Sequence, residues 1–232
     1  MKTTRSIALL FLLTQFLFAG IEKELQTQFI LAEPGDTITI PAGIHKIFGT
    51  LSIEGKENLV IHGLGMDRSI LSFADQTEGA QGISITNSKN IILEDFAVQD
   101  SKGDAIKAQY VDGIVFRGVT AEWTDGPKPT NGAYGLYPVQ CTNVLIEYSV
   151  AIGASDAGIY VGQSKEIVVR NSKAYHNVAG IEIENSINAE VYDNHSYDNT
   201  GGILIFDLPD LVQKKGDNIH IYRNLVENNN LT

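Results

Sequence analysis

Four residues able to do chemistry occupy one recurring position in the chain. Lys107, Tyr137, Tyr160 and Glu182 each stand second after a small residue that opens a short apolar segment, in "AIKAQ", "GLYPV", "GIYVG" and "GIEIE". A cation, two phenols and a carboxylate in a row suit acid–base proton transfer. Removing a proton α to a carboxylate needs a cation to neutralise that carboxylate, a base for the carbon-bound proton, and an acid for the leaving group or the opposite face. Lys107, a tyrosine and Glu182 can fill those roles. The row suits a proton transfer of that kind. The competing reading is a solvated face, on which Lys and Glu aid solubility and the tyrosines cover apolar neighbours.

Other residues extend the candidate site. Glu184 lies two positions after Glu182 and so on the same face of a strand. The segment from Trp123 to Gly135, "WTDGPKPTNGAYG", reads as a long loop beside the row. It offers Trp123 and Tyr134 to stack on sugar rings, and Asp125, Lys128 and Asn131 to bind hydroxyls. Long loops on rigid scaffolds tend to carry function. Asp156 falls in the turn before Tyr160, within reach of this loop, where it also serves as an ordinary turn former. These seven are the expected substrate-binding residues.

Metal and thiol chemistry find no support in the spacing. His45, His62, His176, His195 and His220 fall on different units without ligand spacing. The "DNHSYDN" stretch from Asp193 to Asn199 lacks the spacing of a Ca²⁺ loop. No cofactor is expected, and Ca²⁺ has no motif behind it. Cys141 is the single cysteine, which excludes an internal disulfide. It falls where a small buried residue is expected, so it reads as core.

The elements that must position the row repeat along the chain. Gly82, Ala105, Gly135, Gly158, Gly180 and Gly202 open successive units, about every 22 residues. The unit opened by Ala105 is longer by about eight residues, the excess being the Trp123–Gly135 loop. Each unit adds a second strand, such as "NVLIEY" or "EIVVRN", and a third short piece, such as "VAIG" or "AYHN". No unit can bury its apolar face alone, so each must stack on the next. The expected fold is all-β: a right-handed, single-stranded parallel β-helix, with strands roughly 4.8 Å apart from coil to coil. Ile159, Val161, Ile181, Ile183, Ile203 and Ile205 should then point inward. Tyr160, Gly162, Glu182 and Glu184 should point outward, with Gly162 leaving a gap in the wall. Asn171 and Asn194 should stack at matching corners.

The two ends read differently. Lys2 and Arg5, the apolar run from Ile7 to Phe18, and small Ala19 and Gly20 make residues 1–20 a signal peptide, so export to the periplasm or beyond is expected. Residues 21–232 then form one β-helix domain. Ile21, Leu25, Phe29 and Ala32 share one face of a short helix that should cap the first coil. The chain ends just after a strand in "YRNLVENNNLT", so further coils are expected beyond it. With 17 Lys and Arg against 28 Asp and Glu, the formal net charge is −11. Such a surface repels nucleic acid and anionic membranes. No membrane span is expected once a leader is removed.

At "PGDTITIPAGIH", "LVIHGLGMDRSILSF" and "NGAYGLYPVQCTNVLIEYSVAIGASDAGIYVGQS" the chain resembles bacterial secreted right-handed parallel β-helix repeat proteins of the pectin-lyase-like superfamily. The resemblance covers nearly all of residues 21–232. It implies a fold that hosts lyases, hydrolases, epimerases and plain binding modules. The "WiDH" and "RxPxxR" segments of pectate lyases and the "NTD" and "RIK" segments of polygalacturonases are absent. "GASDAG" has Asp156 where alginate epimerases carry "DPHD", without the Pro or His. No catalytic set carries over whole. With the resemblance, the expected function is an exported polysaccharide-binding or polysaccharide-processing protein, such as a lyase or C5-epimerase acting on a uronate-containing polysaccharide. The alternative is a non-catalytic structural or partner-binding solenoid of the cell envelope, working with a co-secreted protein.

Overall fold

A computed structural model describes residues 20–230; the expected signal peptide lies outside the described residues, apart from Gly20. The described residues form one helix, Gly20–Leu31, followed by short strands that pair only in parallel. A narrow sheet of seven strands takes one strand from each coil, in the order Leu51–Glu54, Ile83–Thr86, Ile106–Gln109, Leu136–Val139, Ala157–Gly162, Ala179–Glu184 and Gly201–Phe206. A second sheet of 14 strands makes the other two walls. Its two arms are joined where Lys89–Gln99 and Asp112–Glu122 run unbroken through the corner that later coils bend at.

Alternation explains the core. Ile159 pairs with Ile181 and Val161 with Ile183 across adjacent coils, and all four are fully buried. Cys141 lies in the same apolar interior, where burial pushes its thiol up to about 11 and keeps it unreactive. Ile203 and Ile205 keep the inward register, paired with Ile181 and Ile183. They are not buried as expected, and Ile205 is 37% exposed. Their strand is the outermost of the narrow sheet, so no described coil covers them.

The helix closes the opposite end. Leu25 and Phe29 are buried, with Ile21 and Ala32 packed against the same core. Gln26 stands in for a missing strand: its amide oxygen accepts from the Ser52 N–H (2.8 Å) and its amide nitrogen donates to the Ser52 carbonyl (2.9 Å). Glu22 accepts from the N–H groups of Phe48 and Gly49. These bonds satisfy an edge that would otherwise invite pairing.

Polar ladders hold the bends. At the corner before the narrow sheet, the Asn177 side-chain oxygen accepts from the Ala154 N–H, Asn199 from the Asn177 N–H, and Asn229 from the Asn199 N–H. At the corner between the two arms, Asn194 accepts from the Ser172 N–H and Asn224 from the Asn194 N–H. Asn194 therefore matches Ser172, not Asn171. Asn171 sits one residue earlier, exposed and in the left-handed region (φ 49°), which asparagine tolerates.

Candidate active site

The outer face of the narrow sheet brings the row together. Register places Lys107 beside Tyr137, Tyr160 beside Glu182, and Gly162 beside Glu184. Tyr134, Tyr137 and Tyr160 form one aromatic cluster with ring centroids 4.5–4.9 Å apart, packed on Ala157 and Ala179. The Lys107 ammonium stands 5.1 Å from the Tyr137 ring centroid. Such a contact contributes about 0.5–1 kcal/mol at an exposed site and holds the cation at the platform.

Gly162 does not leave a gap. A Cβ there would lie 2.5 Å from the Tyr160 ring and hydroxyl, because that ring occupies the space beside the glycine. Tyr160 is 5% exposed as a result, and its hydroxyl donates to Glu184 at 2.5 Å. Burial and the Glu184 contact raise its pKa far above that of a free phenol, so Tyr160 is a proton donor at neutral pH and not a base. Tyr137 is pushed up to about 12 by burial, with help from the charges of Asp104 and Glu184. Tyr134 is raised by burial and by Asp156, with which it shares a hydrogen bond.

Glu182 is the group tuned to neutrality. It is 7% exposed, flanked by Tyr160 on one coil and Leu204 on the next. Burial, then the negative charges of Asp156 and Glu184, push it up to about 7. A carboxyl poised there can both give and take a proton at working pH. The sequence reading missed Asp104. It stands one residue before its opening small residue, as Tyr134 does, and reading that aligned column outward would have found it. Burial raises its pKa against the opposing pull of Lys107, and Gln81 hydrogen-bonds it.

The family of the right-handed β-helix region matches residues 51–185 and, overlapping them, 128–232. The chain belongs to that family. Among solved structures it is similar to the family 28 exopolygalacturonase of Yersinia enterocolitica (TM-score 0.62, 13% identity over 79% of this chain). It is also similar to the A-module of the mannuronan C-5 epimerase AlgE4 of Azotobacter vinelandii (TM-score 0.56, 18% identity over 78% of this chain). The chain spans 47% and 53% of the length of those two proteins. No curated protein matches it in sequence.

The loop residues of this β-helix divide. Trp123 faces inward: it is 4% exposed, belongs to the apolar core, and donates its indole N–H to the Ser101 carbonyl at 2.8 Å. It anchors the loop, and its small exposed edge lines a cavity shared with Asp125, Lys128 and Asn131. Asn131 is a staple, donating to the carbonyls of Gly126 and Gly153. Asp125 and Lys128 pair with each other at 2.9 Å in solvent. Tyr134 and Asp156 join the platform. Among the described residues, no three His, Cys, Asp or Glu side chains converge as a metal site, and no helix is long and apolar enough to cross a membrane.

Proposed function

We propose that this β-helix binds a polysaccharide along the outer face of its narrow sheet and processes it by acid–base chemistry centred on Glu182. The observation that carries the reading is the buried Glu182 carboxyl, pushed up to about 7 beside a platform of three tyrosines. A protonated acid next to the acidic groups Asp156 and Glu184 matches what breaking a glycosidic bond requires: proton donation to the leaving oxygen and a second carboxylate for water or the sugar carbon. The half-buried Tyr134 and Tyr137 rings supply apolar surface for a sugar ring, and the Tyr137 hydroxyl, protonated at neutral pH, supplies a donor. The two solved relatives with this fold are named for action on mannuronan and as an exopolygalacturonase, which agrees with a glycan substrate.

Lys107 favours a second reading, β-elimination or C5 epimerisation of a uronate, because its ammonium is the charge such a reaction needs. Asp104, Asp156, Glu182 and Glu184 work against an anionic ring at this place. Purified protein incubated with neutral glucans and xylans, pectate and alginate separates the readings. New reducing ends without ultraviolet absorbance mark hydrolysis. An unsaturated, absorbing product marks elimination. Deuterium uptake at C5 in D₂O without cleavage marks epimerisation. Glu182→Gln should abolish whichever activity appears and keep binding; full activity in that variant would remove Glu182 from the chemistry.

A further inference from the structure

The platform ends against a second concavity. A cleft of about 430 Å³ opens between the Pro127–Lys128–Pro129 segment and the bends of the next coils, with Ser155, His176 and Val178 on its far side. That volume lies within the ~300–1,000 Å³ of small-ligand sites. Two stretches of chain join the cleft to the platform. Ser155 lines the cleft and its neighbour Asp156 bonds Tyr134. Val178 lines the cleft and its neighbour Ala179 packs with Tyr160. The cleft therefore adjoins the platform along the chain, one residue away at each of two bends.

The cleft is preformed. Two prolines fix their own backbone angles in its near wall. Asn131 ties that segment to the Gly126 and Gly153 carbonyls. Across the cleft, the bend is locked by the Asn177–Asn199 ladder. Pro127, Pro129 and Val178 present apolar surface, with Val178 47% exposed.

Charge separates the two places. The platform carries four acidic groups, Asp104, Asp156, Glu182 and Glu184, against Lys107. No Asp or Glu lines the cleft, and its titratable groups are Lys128 and His176. Lys128 is held by Asp125 in an exposed ion pair at 2.9 Å. Pairs of that kind are weak, so a ligand carboxylate can compete for the ammonium. We infer that the cleft is a second subsite that takes a uronic acid unit of the same polysaccharide, while an uncharged unit lies on the tyrosines. The substrate class is then a glycan that mixes neutral and uronic units. This inference rests on the tyrosine face being a glycan site.

The test uses Glu182→Gln as a binding host free of turnover, and calorimetry as the readout. The probes are oligosaccharides of equal length, neutral ones from xylan and mixed ones from glucuronoxylan and rhamnogalacturonan. A mixed probe should bind about tenfold more tightly than its neutral counterpart. Val178→Trp, which fills the cleft from an exposed position, should remove that advantage and leave neutral binding in place. Lys128→Glu should do the same without changing the cleft's shape. Equal affinity for mixed and neutral probes overturns the inference, as does an advantage that survives both substitutions. If no probe binds Glu182→Gln at all, the tyrosine face itself is not a glycan site and the parent reading falls with it.

Discussion

Two buried glutamates on two walls of one solenoid behave in opposite ways. Glu147 lies on the wide sheet, 4% exposed, between Arg117 on the preceding coil and Arg170 on the next. Arg117 donates to it at 2.7 Å and Arg170 at 2.6 and 2.9 Å. Burial pushes its carboxyl up, but the two guanidinium contacts outweigh burial and hold it below the usual carboxylate range. The column continues coil by coil, from His62 and Glu94 before Arg117 to Tyr192 after Arg170. Glu182 is equally buried in the same 4.8 Å stacking regime. Its charged neighbours are carboxyls, and it is pushed up to about 7. Burial raises both carboxyls; two guanidinium groups overturn it at Glu147, and at Glu182 the carboxyl neighbours add to it. Where charges alternate, the wall is satisfied and structural. Where like charges gather under aromatic cover, the carboxyl keeps its proton into the neutral range.

The largest effect that sharpens this contrast is on turnover. Glu182→Gln should lower kcat by about 10²–10⁴-fold, the usual contribution of a general acid or base. Glu147→Gln should leave kcat within about twofold, because Glu147 lies on a different wall from the tyrosine platform. The comparison breaks if both variants lose activity equally on a substrate that the parent turns over.

Stability against pH should separate the two residues by sign. Glu182 has a folded pKa above its unfolded value of 4.5, near 7, so the folded state binds the extra proton between them. Stability on its account is greatest below 4.5 and falls as pH rises through 7, by up to about 3 kcal/mol. Glu147 has a folded pKa below 4.5, so its contribution is present above that value and is lost as pH falls further. Urea denaturation from acid to alkaline pH measures both. Glu182→Gln should remove the neutral-range slope and leave the acid-range one. An unchanged neutral-range slope in that variant would mean that Glu182 does not titrate there.

Removing the paired carboxylate should cost less. Glu147→Gln leaves two guanidinium groups without their shared acceptor. Fully buried pairs lose ~3–5 kcal/mol when broken, but both arginines are partly exposed, so about 2 kcal/mol is expected. Glu182→Gln under the same conditions, at mildly alkaline pH, should be neutral or stabilising. The opposite ranking in chemical denaturation would show that Glu182 is the structural residue.

The sequence made the walls legible and the satisfaction of their charges illegible. Period-2 alternation put Ile159, Val161, Ile181 and Ile183 inside, because a one-residue slip would turn every one of them outward. The same alternation put Lys107, Tyr137, Tyr160 and Glu182 on one face. It could not show that Tyr160 would lie beside Gly162, since that depends on a rotamer and not on register. Nor could it turn Trp123 inward, because alternation stops carrying information where the strand gives way to a loop. Asn171 was paired with Asn194 by residue type; the actual match, Ser172 with Asn194, is one residue away and is set by which bend position needs a left-handed backbone. The raised pKa of Glu182 depends on Leu204 and Tyr160 from neighbouring coils and on Asp156 from a bend. Only assembled coils show those together.

The smallest effect concerns the glycine that lets the platform form. Gly162 sits in a strand and lacks the left-handed backbone angle that would exclude alanine. The three atoms nearest a new Cβ all belong to Tyr160, the closest at 2.5 Å. A ring on a flexible side chain can swing away. Gly162→Ala should therefore lose the Tyr160–Glu184 hydrogen bond, about 0.5–1.5 kcal/mol. It should regain part of that from the lower chain entropy of alanine in a strand. The net change should stay within about 1 kcal/mol, while the near-ultraviolet circular dichroism of the tyrosine cluster changes clearly. Gly158→Ala is the control on the same strand. Its Cβ would meet the Asn177 amide at 2.6 Å and the Ala151 side chain at 3.0 Å. Neither can move without breaking the bend ladder, so it should cost more. Tyr160→Phe then separates ring from hydroxyl: it keeps the stacked cluster but leaves Glu184 without its donor. If turnover falls in Gly162→Ala and in Tyr160→Phe alike, the hydrogen bond to Glu184 is what the reaction needs. If only Gly162→Ala is impaired, the platform matters through the position of its ring.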